Sequence, residues 1–214
     1  MKQPVLRRQI APGTPDSRCA IPNAILELKT KSANVQSLLE LDHQQRTVVS
    51  WSLNTASIIE KQEHKTARLN ERLEALKQVT NAGYLVGLHF DPMIYYKNWE
   101  SDYKHLIEQV MAHTKPEQIA WISVGSLRFN PEMKRKIEQN FPATDITAAE
   151  MHCGDDGKMR YLKPVRLEMY KHLYQCLGDS VFSYLCMERW DVWDKLYGFH
   201  PNSIGELDFL FAES

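Results

Sequence analysis

The chain has 214 residues, 43% of them hydrophobic, which is long and apolar enough to bury the core of one full-sized domain. Its 26 basic and 27 acidic residues give a formal net charge of -1, so composition excludes a globally basic nucleic-acid binder and restricts any such contact to a local patch. No apolar run reaches the roughly 18 residues of a membrane span, and the amino terminus lacks the apolar core of a signal peptide, so we expect a cytoplasmic protein with no membrane partner.

Residues 1–23 contain four prolines and no periodic apolar face, so we expect an irregular lead there and a single domain over residues 24–214. Short apolar runs then alternate with amphipathic stretches, which indicates parallel strands joined by helical crossovers and an α/β fold. The predicted strands are Ile25–Leu28, Thr47–Leu53, Tyr84–Phe90, Ile119–Val124 and Val181–Met187.

The helices are predicted from apolar periodicity and end signals. Ser57 and Glu60 have the spacing of a capping box ahead of an apolar stripe that runs to Val79 and stops at Gly83. The other predicted helices are a stripe from Trp99 to Met111, a segment capped by Asn130 before Pro131, a run from Pro164 to Leu177, and a short helix from Asp191 to Tyr197.

Polar residues follow the ends of four predicted strands. Lys31 and Ser32 come after the first strand, Ser52 and Asn54 end the second, His89 and Asp91 end the third, and Ser123 and Ser126 end the fourth. Groups beyond the carboxyl ends of parallel strands converge on one face, where ligands bind. Without further information, Lys31 would be a solvated loop lysine and Ser52 a helix cap, and a metal site at His89 and Asp91 lacks a third ligand at a matching spacing.

The segment from Gly154 to Arg166 is the best candidate for contact with DNA. Two glycines permit a tight turn, and positive charge is concentrated beside Tyr161 by Lys158, Arg160, Lys163 and Arg166. Such a loop can hold phosphates and stack on a base. A solvated basic turn, offset by Asp155 and Asp156, is the competing interpretation.

Five stretches in this order resemble the spore photoproduct lyase family: ELKTKS at 27–32, VSWSLN at 49–54, GYLVGLHFDP at 83–92, WISVGS at 121–126 and GKMRY at 157–161. That family uses a 4Fe-4S cluster and S-adenosylmethionine to make a radical that splits a crosslinked thymine pair in DNA. The resemblance implies a partial parallel β/α barrel of the radical S-adenosylmethionine type that lacks its first strands.

The resemblance also implies roles for the residues at the strand ends and in the basic segment. Lys31 would meet the carboxylate of S-adenosylmethionine, and Ser52 and Asn54 would hydrogen-bond the cofactor, with His89 and Asp91 in the same cofactor-binding mouth. Lys158, Arg160, Tyr161 and Lys163 would face the thymine lesion in DNA.

The cysteines do not match the family's Cys-x-x-x-Cys-x-x-Cys cluster loop. The chain has four, at Cys19, Cys153, Cys176 and Cys186, and none of their spacings fits. Each is more often a small buried hydrophobe. We therefore expect a protein that is incomplete and inactive alone, with the cluster supplied, if at all, by a separate polypeptide. The alternatives are a non-catalytic DNA-binding module and a decayed fragment with an unpaired sheet edge.

Overall fold

The computed structural model describes residues 24–178, 181–203 and 206, so the predicted irregular lead of residues 1–23 lies outside the described residues. The strands are β1 (Leu26–Thr30), β2 (Thr47–Ser52), β3 (Leu85–Met93), β4 (Ile119–Ser126), β5 (Arg128–Phe129), β6 (Met151–Cys153), β7 (Met159–Tyr161) and β8 (Ser183–Leu185). The α-helices are α1 (Ala56–Gln62), α2 (Leu69–Asn81), α3 (Trp99–His113), α4 (Pro131–Asn140), α5 (Lys163–Leu177) and α6 (Trp190–Tyr197).

Five strands form one parallel sheet in the order β1-β2-β3-β4-β8. All eight residues of β4 are buried, as expected for a central strand covered on both faces. The predicted α/β class is confirmed, and the architecture is that of a partial parallel β/α barrel. The last predicted strand is shorter than expected, because only Ser183–Leu185 pairs with β4.

The main core lies between the sheet and the helices that cover one of its faces. Alternate residues of β3, Val86, Leu88 and Phe90, are fully buried in it together with residues of α2, α3 and α5. Because side chains alternate along a strand, Gly87, His89 and Asp91 are carried on the opposite face. That second face is the polar, inner face of the partial barrel.

A small antiparallel sheet stands beyond the end of β4, in the order β5-β7-β6. Strands β6 and β7 form a hairpin whose turn spans residues 154–158. Gly157 occupies the turn with a φ of +74°, a conformation that side-chain-bearing residues rarely adopt. The predicted tight turn in the basic segment is therefore present.

The first predicted helix is two helices in the structure. Helix α1 ends at Gln62, and α2 begins at Leu69, where the Glu71 carboxylate accepts a hydrogen bond from the backbone N–H of Arg68 at 2.6 Å. The predicted capping box at Ser57 is wrong, because α1 already begins at Ala56 and the Ser57 hydroxyl lies 3.2 Å from the Thr55 hydroxyl.

Two smaller expectations also change. Asn130 precedes α4 as predicted, but its side chain makes no cap hydrogen bond. Cys153 is exposed on the hairpin, and Cys176 and Cys186 are only partly buried, so the three described cysteines are not the buried hydrophobes that base rates favour.

Among the described helices, none combines the length and the apolar character that crossing a membrane requires.

Candidate functional site

The predicted cofactor residues lie together at the carboxyl ends of the parallel strands. We call this opening of the partial barrel the mouth. In the sheet register, Thr30 pairs with Trp51, Ser52 pairs with His89, and His89 pairs with Ser123. Lys31 therefore follows β1 directly beside the end of β2, and Asn54 and Asp91 lie on the same edge of the sheet. All five predicted cofactor residues thus belong to one edge of one sheet.

Lys31 takes part in a chain of charges at this edge. Its Nζ lies 2.9 Å from Glu63 Oε1, and Glu63 Oε2 lies 2.6 Å from Nη2 of the fully buried Arg72. The Arg72 guanidinium also donates to the carbonyls of Ser52 at 2.8 Å and Ala67 at 2.9 Å. The network therefore fixes the end of β2 and holds Lys31, which is 38% exposed, beside it.

The side chain of Asn54 is engaged in hydrogen bonds that connect the loops around the mouth. Its side-chain N–H donates to the carbonyl of Pro92 at 3.0 Å, and its side-chain oxygen accepts from Tyr103 Oη at 2.7 Å and from the backbone N–H of Thr55 at 3.0 Å. Full burial raises the pKa of Tyr103 well above its ordinary value, so this phenol stays a donor. Asn54 thus ties the loop after β2 to the loop after β3.

His89 is buried on the inner face and contacts a carboxylate of the edge strand β1. Its Nε2 lies 2.7 Å from Glu27 Oε1 across β2. This contact with His89 is the main cause that lowers the pKa of Glu27 from 4.5 to about 2. Glu27 stands in the first resemblance stretch, but the sequence assigned it no role because its partner is 62 positions away.

Asp91 faces Arg128 and Cys186 at the far side of the mouth. Its Oδ1 lies 3.9 Å from Arg128 Nη1, and Arg128 Nη1 donates to the carbonyl of Cys186 at 3.2 Å. Burial, reinforced by the Asp91 carboxylate, raises the pKa of the Cys186 thiol. Gly125 permits this approach, since a Cβ there would stand 2.7 Å from Asp91 Oδ1.

The four predicted DNA-facing residues divide into two kinds. Arg160 and Tyr161 are buried, at 5% and 1% exposure, and Arg160 pairs with Asp156 at 2.5 Å. The Tyr161 hydroxyl accepts from the backbone N–H of Tyr95 at 3.1 Å, and burial raises its pKa to about 12. In this conformation the Tyr161 ring is closed to a nucleobase. Lys158 and Lys163 are partly exposed, and Lys163 pairs with Asp191.

A buried network anchors the hairpin to the large sheet. Arg166 donates to the carbonyl of Tyr161 at 2.5 Å and pairs with Glu188 at 2.7 Å, with both charged side chains 4% exposed. Tyr170 donates to Glu188 at 2.9 Å and lies 3.0 Å from the hydroxyl of Ser126, at the end of β4. Arg166 therefore serves the hairpin as an anchor, whereas the sequence had counted it only as charge.

The amino-acid sequence matches one protein family over most of its length. The family model described as spore photoproduct lyase matches residues 19–186. The chain belongs to this family. The spore photoproduct lyase of Bacillus subtilis (strain 168) is 33% identical over 168 residues, which cover 75% of this chain and 47% of that protein. That of Clostridium acetobutylicum is 30% identical over 137 residues, covering 62% and 40%.

Solved structures of the family share the fold. A spore photoproduct lyase complexed with dinucleoside spore photoproduct aligns with a TM-score of 0.69 at 24% identity, over 78% of this chain and 53% of that one. A substituted form with bound AdoMet and the same dinucleoside aligns with a TM-score of 0.70 at 24% identity, over the same shares. The chain spans less than half the length of the two curated relatives and about half of each solved chain.

Of the two cofactors that the family implies, the residues at the mouth suit S-adenosylmethionine. Lys31 and Ser52 supply an ammonium and a hydroxyl suited to a zwitterionic, sugar-bearing ligand, whereas the hydrogen-bonding groups of Asn54 and His89 are engaged within the protein. The described residues do not fit an iron–sulfur cluster. Within residues 24–178, 181–203 and 206, no three His, Cys, Asp or Glu side chains converge where a metal could be held.

Proposed function

We propose that this chain is a spore-photoproduct-lyase-like radical S-adenosylmethionine protein that acts on crosslinked thymine in DNA and is inactive alone. The observation that supports it is the convergence of Lys31, Ser52 and Asp91 at one edge of the partial barrel, in a chain of this family. When bound beside a reduced iron–sulfur cluster, S-adenosylmethionine supplies the radical in this family. No spacing among the cysteines of this sequence matches the family's cluster loop, and we infer that a separate cytoplasmic polypeptide carries the cluster.

The chain's own residues would bind and orient the cofactor. Lys31 would hold the cofactor carboxylate, and the Ser52 hydroxyl would hydrogen-bond its polar part. Arg72 and Asn54 would act as positioning residues, because they fix the carbonyl of Ser52 and the loop after β3. His89 and Asp91 would line the same mouth, with His89 held in place by Glu27.

Binding of S-adenosylmethionine tests the cofactor part of this proposal without requiring turnover. Isothermal titration of the purified chain should show saturable binding, weakened at least tenfold by Lys31→Met and by Ser52→Ala. Lys29→Met, on the strand that precedes Lys31, is the matched control. A wild-type chain that does not bind S-adenosylmethionine would refute the cofactor assignment.

Anaerobic reconstitution with iron and sulfide tests the claim of inactivity. We expect no 4Fe-4S absorption and no cleavage of S-adenosylmethionine by this chain alone. A reducible cluster with cofactor cleavage would overturn that claim and make the chain an enzyme in its own right.

A non-catalytic DNA-binding module is the second candidate, favoured by Lys158 in the hairpin turn and Lys163 at the start of α5. Affinity for DNA would come mainly from phosphate contacts and would fall as salt rises. Lys158→Ala is the informative variant, because Arg160 is buried and its removal would also disturb the turn. Salt-dependent affinity without any S-adenosylmethionine binding would favour this candidate over the first.

A further inference from the structure

A cleft opens at the carboxyl end of β2 and β3, beside the mouth described above. Its volume is about 350 Å³, within the range of pockets that hold small molecules. Three segments line it: helix α1, the residues that follow β3, and residues 145–149. They contribute Ser57, Lys61, Tyr95, Lys97, Ile146 and Ala149, among others.

The cleft holds two cations that the protein does not neutralise. Lys61 and Lys97 are exposed, and neither forms an ion pair with any residue of the described chain. In the hairpin region, Arg160, Lys163 and Arg189 pair with Asp156, Asp191 and Asp155 respectively, and Lys158 is the cation that forms no ion pair with a described residue. Unpaired cations keep their full attraction for an anion, so the two lysines of the cleft are better placed to hold phosphate than the one at the hairpin turn.

Asp145 is the carboxylate among the lining residues, and it is already engaged by another side chain. Its Oδ1 accepts a hydrogen bond from Gln62 Nε2 at 3.1 Å, and the oxygen of the same amide accepts from Thr144 at 2.5 Å. The Asp145 carboxylate is therefore held beside Gln62. Two lysines against one carboxylate leave the cleft net positive.

An aromatic ring connects the cleft with the hairpin. Tyr95 is 39% exposed, and its ring centroid lies 6.0 Å from those of both Trp99 and Tyr161. Its backbone N–H donates to the Tyr161 hydroxyl at 3.1 Å, which fixes the loop that carries it. Bases stack on exposed aromatic rings whatever their sequence, so Tyr95 supplies a stacking surface beside the two lysines.

We propose that this cleft binds a nucleotide of single-stranded DNA adjacent to the lesion. Lys61 and Lys97 contact its flanking phosphates, and Tyr95 stacks on its base. The proposal rests on the proposed function, because it requires that the chain engage DNA. The main phosphate contacts are then made by the cleft and not by the hairpin. The DNA strand passes over Tyr95, which lies between the cleft and the hairpin.

Fluorescence anisotropy with a labelled oligothymidylate tests this proposal on the full chain. We expect Lys61→Ala/Lys97→Ala to weaken binding about tenfold at low salt and to reduce the slope of log affinity against log salt by ~1.4, at ~0.7 for each lost contact with a single strand. The matched control is Lys77→Ala/Lys115→Ala, two exposed lysines that precede β3 and β4 and so lie at the opposite edge of the sheet. Thermal unfolding followed by circular dichroism verifies that both variants are folded.

Each other outcome refutes a defined part of the argument. If the wild type binds the oligonucleotide and the cleft variant matches the control, the cleft proposal is wrong while DNA binding stands. If the wild type binds no DNA, the proposed function fails and the cleft proposal fails with it. If thymidine 5′-monophosphate binds as tightly as the oligonucleotide, with the same dependence on both lysines, the cleft takes a free nucleotide and the strand proposal is overturned.

Discussion

Arg72 is the residue whose loss we expect to cost the most. It is fully buried and satisfies Glu63, Thr66 and two backbone carbonyls through its guanidinium. Removing one partner of a buried ion pair leaves the other without compensation. Arg72→Met should lower the free energy of unfolding by about 3 kcal/mol, as measured by urea denaturation. The exposed neighbour Arg68→Met is the control, and equal effects of the two changes would contradict this reading.

The contact between Glu27 and His89 predicts a dependence of stability on pH. Folding lowers the pKa of Glu27 from 4.5 to about 2, so the stabilisation is complete above the unfolded value and is lost as pH falls from about 4.5 towards 2. Because Glu27 is about one-third exposed, solvent screening limits the effect to about 1 kcal/mol. Urea denaturation at a series of pH values should show a shallower acid loss for Glu27→Gln than for wild type. Glu74→Gln, on α2, should behave like wild type.

At the scale of secondary-structure elements, the lack of a side chain at Gly87 of β3 lets side chains of β2 and β4 pack close to the backbone of β3. A Cβ at this position of β3 would stand 2.2 Å from Ser50 Oγ on β2 and 2.7 Å from Trp121 Nε1 on β4. Buried strands cannot move apart cheaply, so Gly87→Ala should lower the free energy of unfolding by about 2 kcal/mol. Adding Ser50→Ala removes the closer contact and should restore part of the loss in urea denaturation. No recovery in the double variant would show that the Ser50 contact is not the cause.

At the scale of the whole molecule, strand β1 and the residue before it expose apolar side chains on the edge of the large sheet. Ile25, Leu26 and Leu28 are 42%, 56% and 36% exposed, and within the described residues β1 pairs only with β2. Such an edge favours association with other chains. Leu26→Lys should reduce concentration-dependent association measured by light scattering while leaving thermal unfolding unchanged. Leu41→Lys, an exposed apolar residue outside the strands, is the control.

The parallel sheet could be predicted because each buried strand is a short apolar run, and the mouth because Lys31, Ser52 and His89 follow or end such runs. What these residues contact could not be predicted, since the partners are distant in sequence. Glu27 meets His89 across 62 positions, and Glu188 meets Arg166 across 22. The burial of Tyr161 could not be predicted either, because its neighbours in the sequence are basic. Its burial follows from the antiparallel pairing with β6 and from the loop after β3 that covers it.

Glu63 is shared between Lys31 and Arg72, and this sharing has a consequence for any acidic ligand of the mouth. The Lys31 ammonium has three N–H donors and is partly exposed, so a ligand carboxylate can bind it beside Glu63. Lys31 and Arg72 are two cations that share one carboxylate, and the cluster therefore carries one uncompensated positive charge. A ligand with a single carboxylate balances this charge, whereas a neutral analogue of the same shape does not.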